Sequence, residues 1–282
     1  MNERTGAPTL MGYLMMLRLG NCVMGALGCL LAAIVCGGLD ALDSYPFEII
    51  FSMVTVFSFT AAGNSLNDYF DRDTDKVAHP ERPLPSGMIK PAGALTVSVM
   101  LFALSVECSY FVSAWSLIVV LASIAVMVGY ELLLKAEGFA GNLAIGWLTG
   151  ALFLFGGAAV EKMELAWILA ALAFLATLGR EVVKDIQDIE GDKGSRRTLP
   201  MRIGTRRAGV VGSAAFVGAV ALSPVPYLQG LLSIWYVPVV GAADAIFIYC
   251  ALIHFRSPGQ GQKVAKLAML VALLAFLLGG VS

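Results

Sequence analysis

Long stretches without a charged residue follow one another along the chain, separated by short polar segments. Eight such stretches occur, at residues 19–39, 49–67, 91–106, 108–130, 138–160, 165–179, 208–243 and 267–282. A helix that spans a bilayer needs roughly 20 mostly apolar residues. The stretch from residue 208 is long enough for two passes, because Pro224 and Pro226 interrupt it and its second part continues past Asp244 to about Ile253. The pattern therefore predicts an all-α membrane protein with nine transmembrane helices, the first to ninth spans.

The composition supports an integral membrane protein and excludes an ordinary soluble domain. The chain is 58% hydrophobic and 14% charged, whereas soluble domains are about 45–50% apolar and about 25% charged. With the N-terminus in the cytoplasm, every Lys and Arg except Lys162 falls on the cytoplasmic side, as the positive-inside rule requires. We therefore expect a multi-pass protein of the cell membrane, built as a single domain over residues 1–282, with its N-terminus and polar loops inside the cell.

The five cysteines form no disulfide or zinc pattern. Cys22, Cys29 and Cys36 recur every seven residues on one stripe of the first span. We expect them to serve as small residues at a buried helix interface.

An acidic pattern occurs twice, at the end of the second span and again at the end of the sixth. The segment "NDYFDRDTDK" covers residues 67–76 and "KDIQDIEGDK" covers residues 184–193. At a constant offset of 117 residues, Asp68, Asp71, Asp75 and Lys76 correspond to Asp185, Asp188, Asp192 and Lys193. Because the second and sixth spans differ by four, the repeat predicts two related four-helix units plus a ninth helix, arranged around a central cavity.

The spacing of the aspartates indicates a divalent cation. Spacings of three and four place each trio on one helical face, and two such trios on neighbouring helices would repel each other without a cation between them. Carboxylate and amide oxygens suit Mg²⁺. A single acidic cluster would fit a polar helix end, but its duplication favours a cation-binding site between the two halves. Asp73 should point into solvent. His79 and His254 should lie in loops. The predicted metal ligands are Asn67, Asp68, Asp71, Asp75, Asp185, Asp188 and Asp192, with Asp68, Asp71, Asp188 and Asp192 at the centre of catalysis.

Basic residues near both motifs suit an anionic substrate, because arginine binds phosphate through two parallel hydrogen bonds. Proline-rich loops at residues 79–91 and 193–207 follow the two motifs and carry several arginines, among them Arg82. Arg180 and Lys184 precede the second trio on the same predicted helix, and "YELLLK" (130–135) ends the fourth span.

At these residues the sequence resembles the UbiA superfamily of intramembrane prenyltransferases. The family's first motif, NDxxDxxxD, matches Asn67, Asp68, Asp71 and Asp75, and its second, DxxxD, matches Asp188 and Asp192 with Asp185 in the extended form. The sequence also resembles the family at several basic and polar positions: Arg18 and Asn21 in "RLGN", Tyr130, Lys135 and Asn142. With these and Arg72, the residues expected to bind substrate are Arg18, Asn21, Arg72, Arg82, Tyr130, Lys135, Asn142, Arg180 and Lys184.

Within the superfamily, "GREVVKDIQDIEGDKGSRRTLP" and "ERPLPSG" resemble the archaeal ether-lipid branch, the digeranylgeranylglyceryl phosphate synthases. The resemblance implies Mg²⁺ as cofactor, geranylgeranyl diphosphate as donor and the hydroxyl of the lipid phosphate geranylgeranylglyceryl phosphate as acceptor. It implies no nucleic acid and no protein partner. Because "DRDTDKV" also resembles 4-hydroxybenzoate polyprenyltransferases, an aromatic acceptor is the alternative. A more distant alternative is a divalent-cation transporter or channel, in which paired acids would lie near mid-bilayer.

Overall fold

The computed structural model describes residues 9–135, 137–191 and 197–281. Within these ranges, nine helices are long and apolar enough to cross a membrane, which confirms the predicted number. The helices in chain order are α1 (Leu10–Leu17), α2 (Leu19–Gly37), α3 (Ala41–Ser44), α4 (Pro46–Ala78), α5 (Pro91–Val112), α6 (Ala114–Gly129), α7 (Phe139–Ala159), α8 (Met163–Gln187), α9 (Leu199–Ile203), α10 (Thr205–Leu222), α11 (Val225–Leu228), α12 (Tyr236–Ile253) and α13 (Pro258–Val281). A π-helical turn, Tyr130–Leu134, continues α6. The spans are α2, α4, α5, α6 with the π-helical turn, α7, α8, α10 with α11, α12 and α13.

The spans form a bundle in which α7 packs against helices of both halves. In the first half α4 packs against α2 and α5, and α5 packs against α6. In the second half α8 packs against α10 and α13, and α12 packs against the same two helices. Helix α7 contacts α2, α4 and α6 on one side and α8 on the other, and α13 contacts α2.

Small residues allow the helices at the centre of the bundle to approach closely. Cys22, Cys29 and Cys36 are buried on α2, as the cysteine stripe predicted. A Cβ added at Gly156 of α7 would lie only 2.5 Å from the Cβ of Ala32 on α2. Close backbone approach through small residues is the usual way in which membrane helices associate.

Helix α4 is long enough to carry its aspartates out of the hydrocarbon layer. Pro46 and Glu48 lie in its first turn, where a fixed φ and a negative charge both favour a helix start. Its 33 residues correspond to about 50 Å, whereas the hydrocarbon core of a bilayer is about 30 Å thick. The last turns, from Asn67 onward, therefore extend to the membrane surface.

The second acidic segment does not repeat this helical geometry. Asp185 lies in α8, but the helix ends at Gln187 and Asp188 is its C-cap residue, with φ −94° and ψ 9°; Asp192 lies outside the described residues. The expectation that a helix continues through the second motif is therefore wrong from Asp188 onward, while the position expected for Asp192 stays a prediction.

A break at Arg18 separates α1 from α2, and sequence reasoning did not predict it. Arg18 has left-handed backbone angles, φ 51° and ψ 57°, which are unusual for a residue with a side chain. Helix α1 packs onto the loop that follows α4, where Met16 forms a buried cluster with Leu84, Ile89 and Ala94. The break thus lets α1 cover this loop while α2 enters the bundle.

The two histidines differ in environment. His79 is exposed just beyond α4. His254, expected in a loop, is instead the buried C-cap residue of α12, 1% exposed. The hydroxyl of Ser213 donates to the carbonyl oxygen of Ala251 at 2.7 Å and lies 2.8 Å from His254 Nε2.

Candidate active site

Two aspartates of the first motif are buried on α4, and each binds an arginine from a different segment. Asp68 and Asp75 are 3% and 5% exposed. The Arg18 guanidinium, at the break before α2, pairs with Asp68. Arg82, in the loop after α4, donates from Nη1 to Oδ2 of Asp75 at 2.7 Å. The left-handed conformation of Arg18 therefore serves to bring a cation to the motif.

The π-helical turn supplies a cation and an acid to the same motif. Nζ of Lys135 lies 2.6 and 2.7 Å from the two carboxylate oxygens of Asp71 and 3.1 Å from Oε2 of Glu131. Oε1 of Glu131 accepts from Nδ2 of Asn67 at 2.8 Å, and the Glu131 side chain is fully buried. The backbone N–H of Lys135 donates to the carbonyl of Tyr130 at 2.8 Å, and such π-turns are frequent at functional sites.

Sequence reasoning missed Glu131, although one feature could have revealed it. It is an acid at the end of an apolar run, four residues before Lys135, and an acid and a base at this spacing are neighbours on a helix.

Two other charged residues of the first motif's segment point away from this network. Asp73 is exposed and binds Lys76 at 2.8 Å, as expected from its register. Arg72 donates from Nη1 to the carbonyl of Tyr69 at 2.7 Å, and its guanidinium lies 4.7 Å from the centre of the Tyr69 ring. The structure thus places Arg72 beside Asp73 rather than with the motif's buried aspartates.

The second motif is held by an asparagine of α7. Asp185 is buried and accepts from Nδ2 of Asn142 at 2.8 Å, and Asn142 is itself 4% exposed. Asp188 follows at the helix end and is half-buried. Asn142 therefore fixes the orientation of the motif's first carboxylate.

A second buried glutamate, also missed from the sequence, organises the bases of α8. The Glu181 carboxylate pairs with the Arg180 guanidinium and lies 3.7 Å from Nζ of Lys184. Its side chain is 5% exposed. An acid three residues before Lys184 was again the available indication.

The two motif-bearing helices are not neighbours, contrary to expectation. Helices α2 and α7 contact both α4 and α8, whereas α4 and α8 do not pack side by side. Packed helices have axes about 8–10 Å apart, so the intervening helices set the motifs further apart than that. A ligand with several charged groups, rather than a single ion, fits this separation.

An apolar cavity of about 310 Å³ lies beneath the first motif and is lined by α2, α4, α6 and α7. We call it the N-terminal cavity. Its polar end contains Asn21 and Asn64, and Asn64 lies one helical turn before Asp68. Most of its wall is hydrophobic, with Val56, Phe59, Met127, Ile145, Leu148 and Leu152 among the lining residues.

The side chains at the two motifs fit a hard divalent cation. Among the described residues no three His, Cys, Asp or Glu side chains converge on a preformed metal site. Asp68 and Asp75, however, each bind arginine through one oxygen, so the second oxygen can serve another ligand. Within the described part of the chain, the carboxylates in these networks also outnumber the bases: Asp68, Asp71, Asp75, Glu131, Glu181, Asp185 and Asp188 compare with Arg18, Arg82, Lys135, Arg180 and Lys184. An all-oxygen donor set with excess negative charge suits Mg²⁺.

Comparisons with known proteins agree with this geometry. The model of the UbiA prenyltransferase family matches residues 26–277. The digeranylgeranylglyceryl phosphate synthase of Methanosphaera stadtmanae is 37% identical over 273 residues, covering 95% of this chain and 98% of its own length. The enzyme of the same name from Natronomonas pharaonis is 38% identical over 270 residues, covering 95% and 96%.

Solved structures show the same architecture. One described as "Structural and mechanistic insights into the biosynthesis of Digeranylgeranylglyceryl phosphate synthase in membranes" superposes with a TM-score of 0.90 at 32% identity, covering 96% of this chain and 98% of that one. A UbiA homolog from Archaeoglobus fulgidus bound to GPP and Mg²⁺ has a TM-score of 0.65 at 16% identity, covering 95% and 98%. This second likeness concerns the fold alone.

Proposed function

Because the chain belongs to the UbiA prenyltransferase family, we propose that it transfers a geranylgeranyl group from geranylgeranyl diphosphate to geranylgeranylglyceryl phosphate. The acceptor's free hydroxyl forms the new ether bond, and diphosphate is released. Curated relatives that match nearly the whole chain are named for this activity. This places the protein in the synthesis of archaeal ether lipids.

One observation supports the proposal above all others. Three segments far apart in the sequence bring Arg18, Arg82 and Lys135 to the aspartates of α4. The N-terminal cavity lies directly beneath them. A site that is ionic above and apolar below matches a prenyl diphosphate, which has a charged head and a hydrocarbon tail.

We assign the first steps of the reaction to the residues around the first motif. Arg18, Arg82 and Lys135 bind the diphosphate and stabilise the charge that develops on it as the allylic C–O bond breaks. Glu131 and Asn67 hold Lys135 and the motif in place. Mg²⁺ held at each motif, by ligands among Asn67, Asp68, Asp71 and Asp75 in the first and among Asp185, Asp188 and Asp192 in the second, would add Lewis-acid stabilisation of the leaving group.

The remaining steps require a dry cavity and an oriented acceptor. The apolar wall of the N-terminal cavity excludes water from the allylic cation, which would otherwise be hydrolysed. Arg180 and Lys184, oriented by Glu181, bind the acceptor's phosphate. The acceptor's hydroxyl oxygen then attacks C1 of the geranylgeranyl group, and its proton passes to the departing diphosphate or to a motif carboxylate.

We further propose that the chain is a single domain with its N-terminus and both motifs on the cytoplasmic side. The distribution of Lys and Arg, with only Lys162 on the opposite side, supports this orientation. Both substrates carry phosphate groups and would reach the site from the cytoplasmic leaflet.

The proposal is tested by incubating purified protein with geranylgeranyl diphosphate, geranylgeranylglyceryl phosphate and Mg²⁺, and identifying the product by mass. We expect digeranylgeranylglyceryl phosphate from the wild type and none from Asp71→Asn or Asp188→Asn. Asp73→Asn is the matched control, because Asp73 lies in the same segment but points to solvent, and it should remain active.

A competition between acceptors separates this function from its alternative. The dephosphorylated acceptor should react poorly, because it leaves a cationic subsite unpaired. Turnover of 4-hydroxybenzoate without turnover of the glycerol phosphate would establish the aromatic prenyltransferase instead. Equal damage from all three aspartate variants would refute the assignment of the motif face.

A further inference from the structure

A second apolar cavity, of about 270 Å³, lies in the other half of the bundle and is lined by α7, α8, α10, α12 and α13. We call it the C-terminal cavity. Asp244 is the one charged residue among the described residues that line it, and its Oδ2 accepts from the hydroxyl of Ser223 at 2.6 Å. The Tyr236 hydroxyl donates to the carbonyl of Ser223 at 2.8 Å. Because these polar groups bind one another, the remaining wall presents a hydrocarbon surface.

The two cavities occupy equivalent places in the two repeated units. Val56 and Phe59 of α4 line the N-terminal cavity, and Ala173 and Ala176 of α8 line the C-terminal one. These pairs differ by 117 residues, the same offset that relates the aspartates of the two motifs. The same face of each motif-bearing helix therefore borders a cavity.

The other walls repeat as well. Ser123 and Met127 of α6 correspond to Val240 and Asp244 of α12 at the same offset of 117 residues. At an offset of 124 residues, Ile145, Leu148, Thr149 and Leu152 of α7 correspond to Met269, Ala272, Leu273 and Phe276 of α13. The C-terminal cavity is thus a second copy of the N-terminal one.

The cavities also share a wall, since Thr149 of α7 lines both. Each reaches towards the charged residues of its own unit. Asn64 in the N-terminal cavity is one turn from Asp68, and Ala176 in the C-terminal cavity is one turn from Arg180. Two hydrocarbon chains lying in the two cavities would therefore direct their polar ends to Asp68 in the first unit and to Arg180 in the second.

We propose that the C-terminal cavity binds the isoprenoid chain of the acceptor, while the N-terminal cavity binds that of the donor. This rests on the proposed function, in which two geranylgeranyl chains must lie side by side with their reactive ends together. The assignment follows the cations. Arg18, Arg82 and Lys135 meet the donor's diphosphate above the first cavity, and Arg180 and Lys184 meet the acceptor's single phosphate above the second.

The selectivity that this arrangement produces is steric. An acceptor whose chain is displaced from the cavity no longer holds its hydroxyl oxygen against C1 of the donor, and misplacing a reacting atom lowers the rate. Filling the cavity should therefore penalise a long acceptor chain and spare a short one that does not reach the added side chain.

The test compares three substitutions to phenylalanine. Ala173→Phe fills the C-terminal cavity, Val56→Phe fills the equivalent position of the N-terminal cavity, and Ala245→Phe adds the same side chain at an exposed position of α12. For each we would measure kcat/KM with geranylgeranylglyceryl phosphate and with its geranyl analogue, and KM for the donor.

Ala173→Phe should lower the preference for the longer acceptor about tenfold, equivalent to about 1.4 kcal/mol, without raising the donor KM. Val56→Phe should raise the donor KM instead, and Ala245→Phe should change neither. The ratio of kcat/KM for the two acceptors is measured on one preparation, so misfolding lowers both rates and leaves the ratio unchanged. Ala176→Val provides a milder second variant. An unchanged ratio in both active variants would overturn the inference while leaving the proposed function intact.

A photolabelling measurement distinguishes a failure of the proposed reaction from a failure of the proposed chain site. A geranylgeranylglyceryl phosphate analogue with a diazirine on its chain should label the segments 240–247 of α12 and 269–276 of α13. Labelling confined to α4 and α6 would overturn the second chain site. If the wild type makes no product yet the probe labels α12 and α13, the proposed reaction fails and the chain site stands.

Discussion

Replacing Glu131 by glutamine should reduce transfer about tenfold without unfolding the protein. The Glu131 side chain is fully buried and bridges Asn67 and Lys135. Glutamine keeps the size and an acceptor oxygen but removes the charge. The Lys135 ammonium stays charged, so its bond to glutamine is still charge-assisted. Within the range of about 1.5–3 kcal/mol for hydrogen bonds to charged groups, the expected loss at Lys135 is about 1–1.5 kcal/mol.

This loss should appear as weaker stabilisation of the leaving diphosphate. Lys135 retains Asp71 as a partner at 2.6 Å, which pulls its ammonium group from the place where Glu131 now holds it. Each 1.4 kcal/mol of lost transition-state stabilisation lowers the rate about tenfold. The assay is kcat/KM for geranylgeranyl diphosphate at saturating acceptor, with the melting temperature in detergent measured in parallel. Glu107→Gln, at an exposed position of α5, is the matched control and should behave as wild type.

A double-mutant cycle with Lys135→Met tests whether Glu131 acts through Lys135. If it does, the double variant should be no slower than Lys135→Met alone, because the second change removes an interaction already lost. Additive losses, or a Glu131→Gln variant with wild-type kinetics, would refute the reasoning.

Three further outcomes are expected. Excess chelator should abolish turnover and Mg²⁺ should restore it, as measured by product mass; full activity in chelator would exclude a metal at the two motifs. Asn142→Leu leaves a carboxylate oxygen of Asp185 without the hydrogen bond from Asn142, at a cost of about 1–3 kcal/mol. It should lower activity and the melting temperature more than Asn142→Asp does at low pH, where a protonated carboxyl group can still donate to Asp185. Burial lowers the pKa of His254 below the ordinary value of about 6.5, so protonation favours the unfolded chain: stability should be full above that pH and fall as the pH drops below it. His254→Gln should remove that part of the pH dependence.

The general architecture could be predicted because its causes are local. Uninterrupted apolar stretches define the spans, and Pro224 and Pro226 mark the break before α12. The register of α4 followed from spacing alone, since residues three and four apart share a face, and Asp73 accordingly lies away from Asp71.

Contacts between distant segments could not be predicted in the same way. Lys135 and Asp71 are 64 residues apart, and no local pattern specifies their pairing. The left-handed break falls on Arg18 rather than on a glycine, the residue that usually indicates such a conformation in a sequence. The early end of α8 and the position of α7 between the two motifs both result from packing and loop geometry, which hydropathy does not encode.

The position of α7 accounts for the odd number of spans. The N-terminal and C-terminal cavities lie side by side and share the wall formed by α7, so three such helices are needed to line both. Helices α2, α7 and α13 take these positions at near-constant intervals of 128 and 124 residues, as Asn21, Thr149 and Leu273 illustrate. Two four-helix units in tandem supply only α2 and α7, the first span of each unit, so the third helix must come from a further span. The ninth span supplies one wall of the C-terminal cavity, so a chain ending after α12 would lose that wall, while the N-terminal cavity would keep all the helices that line it.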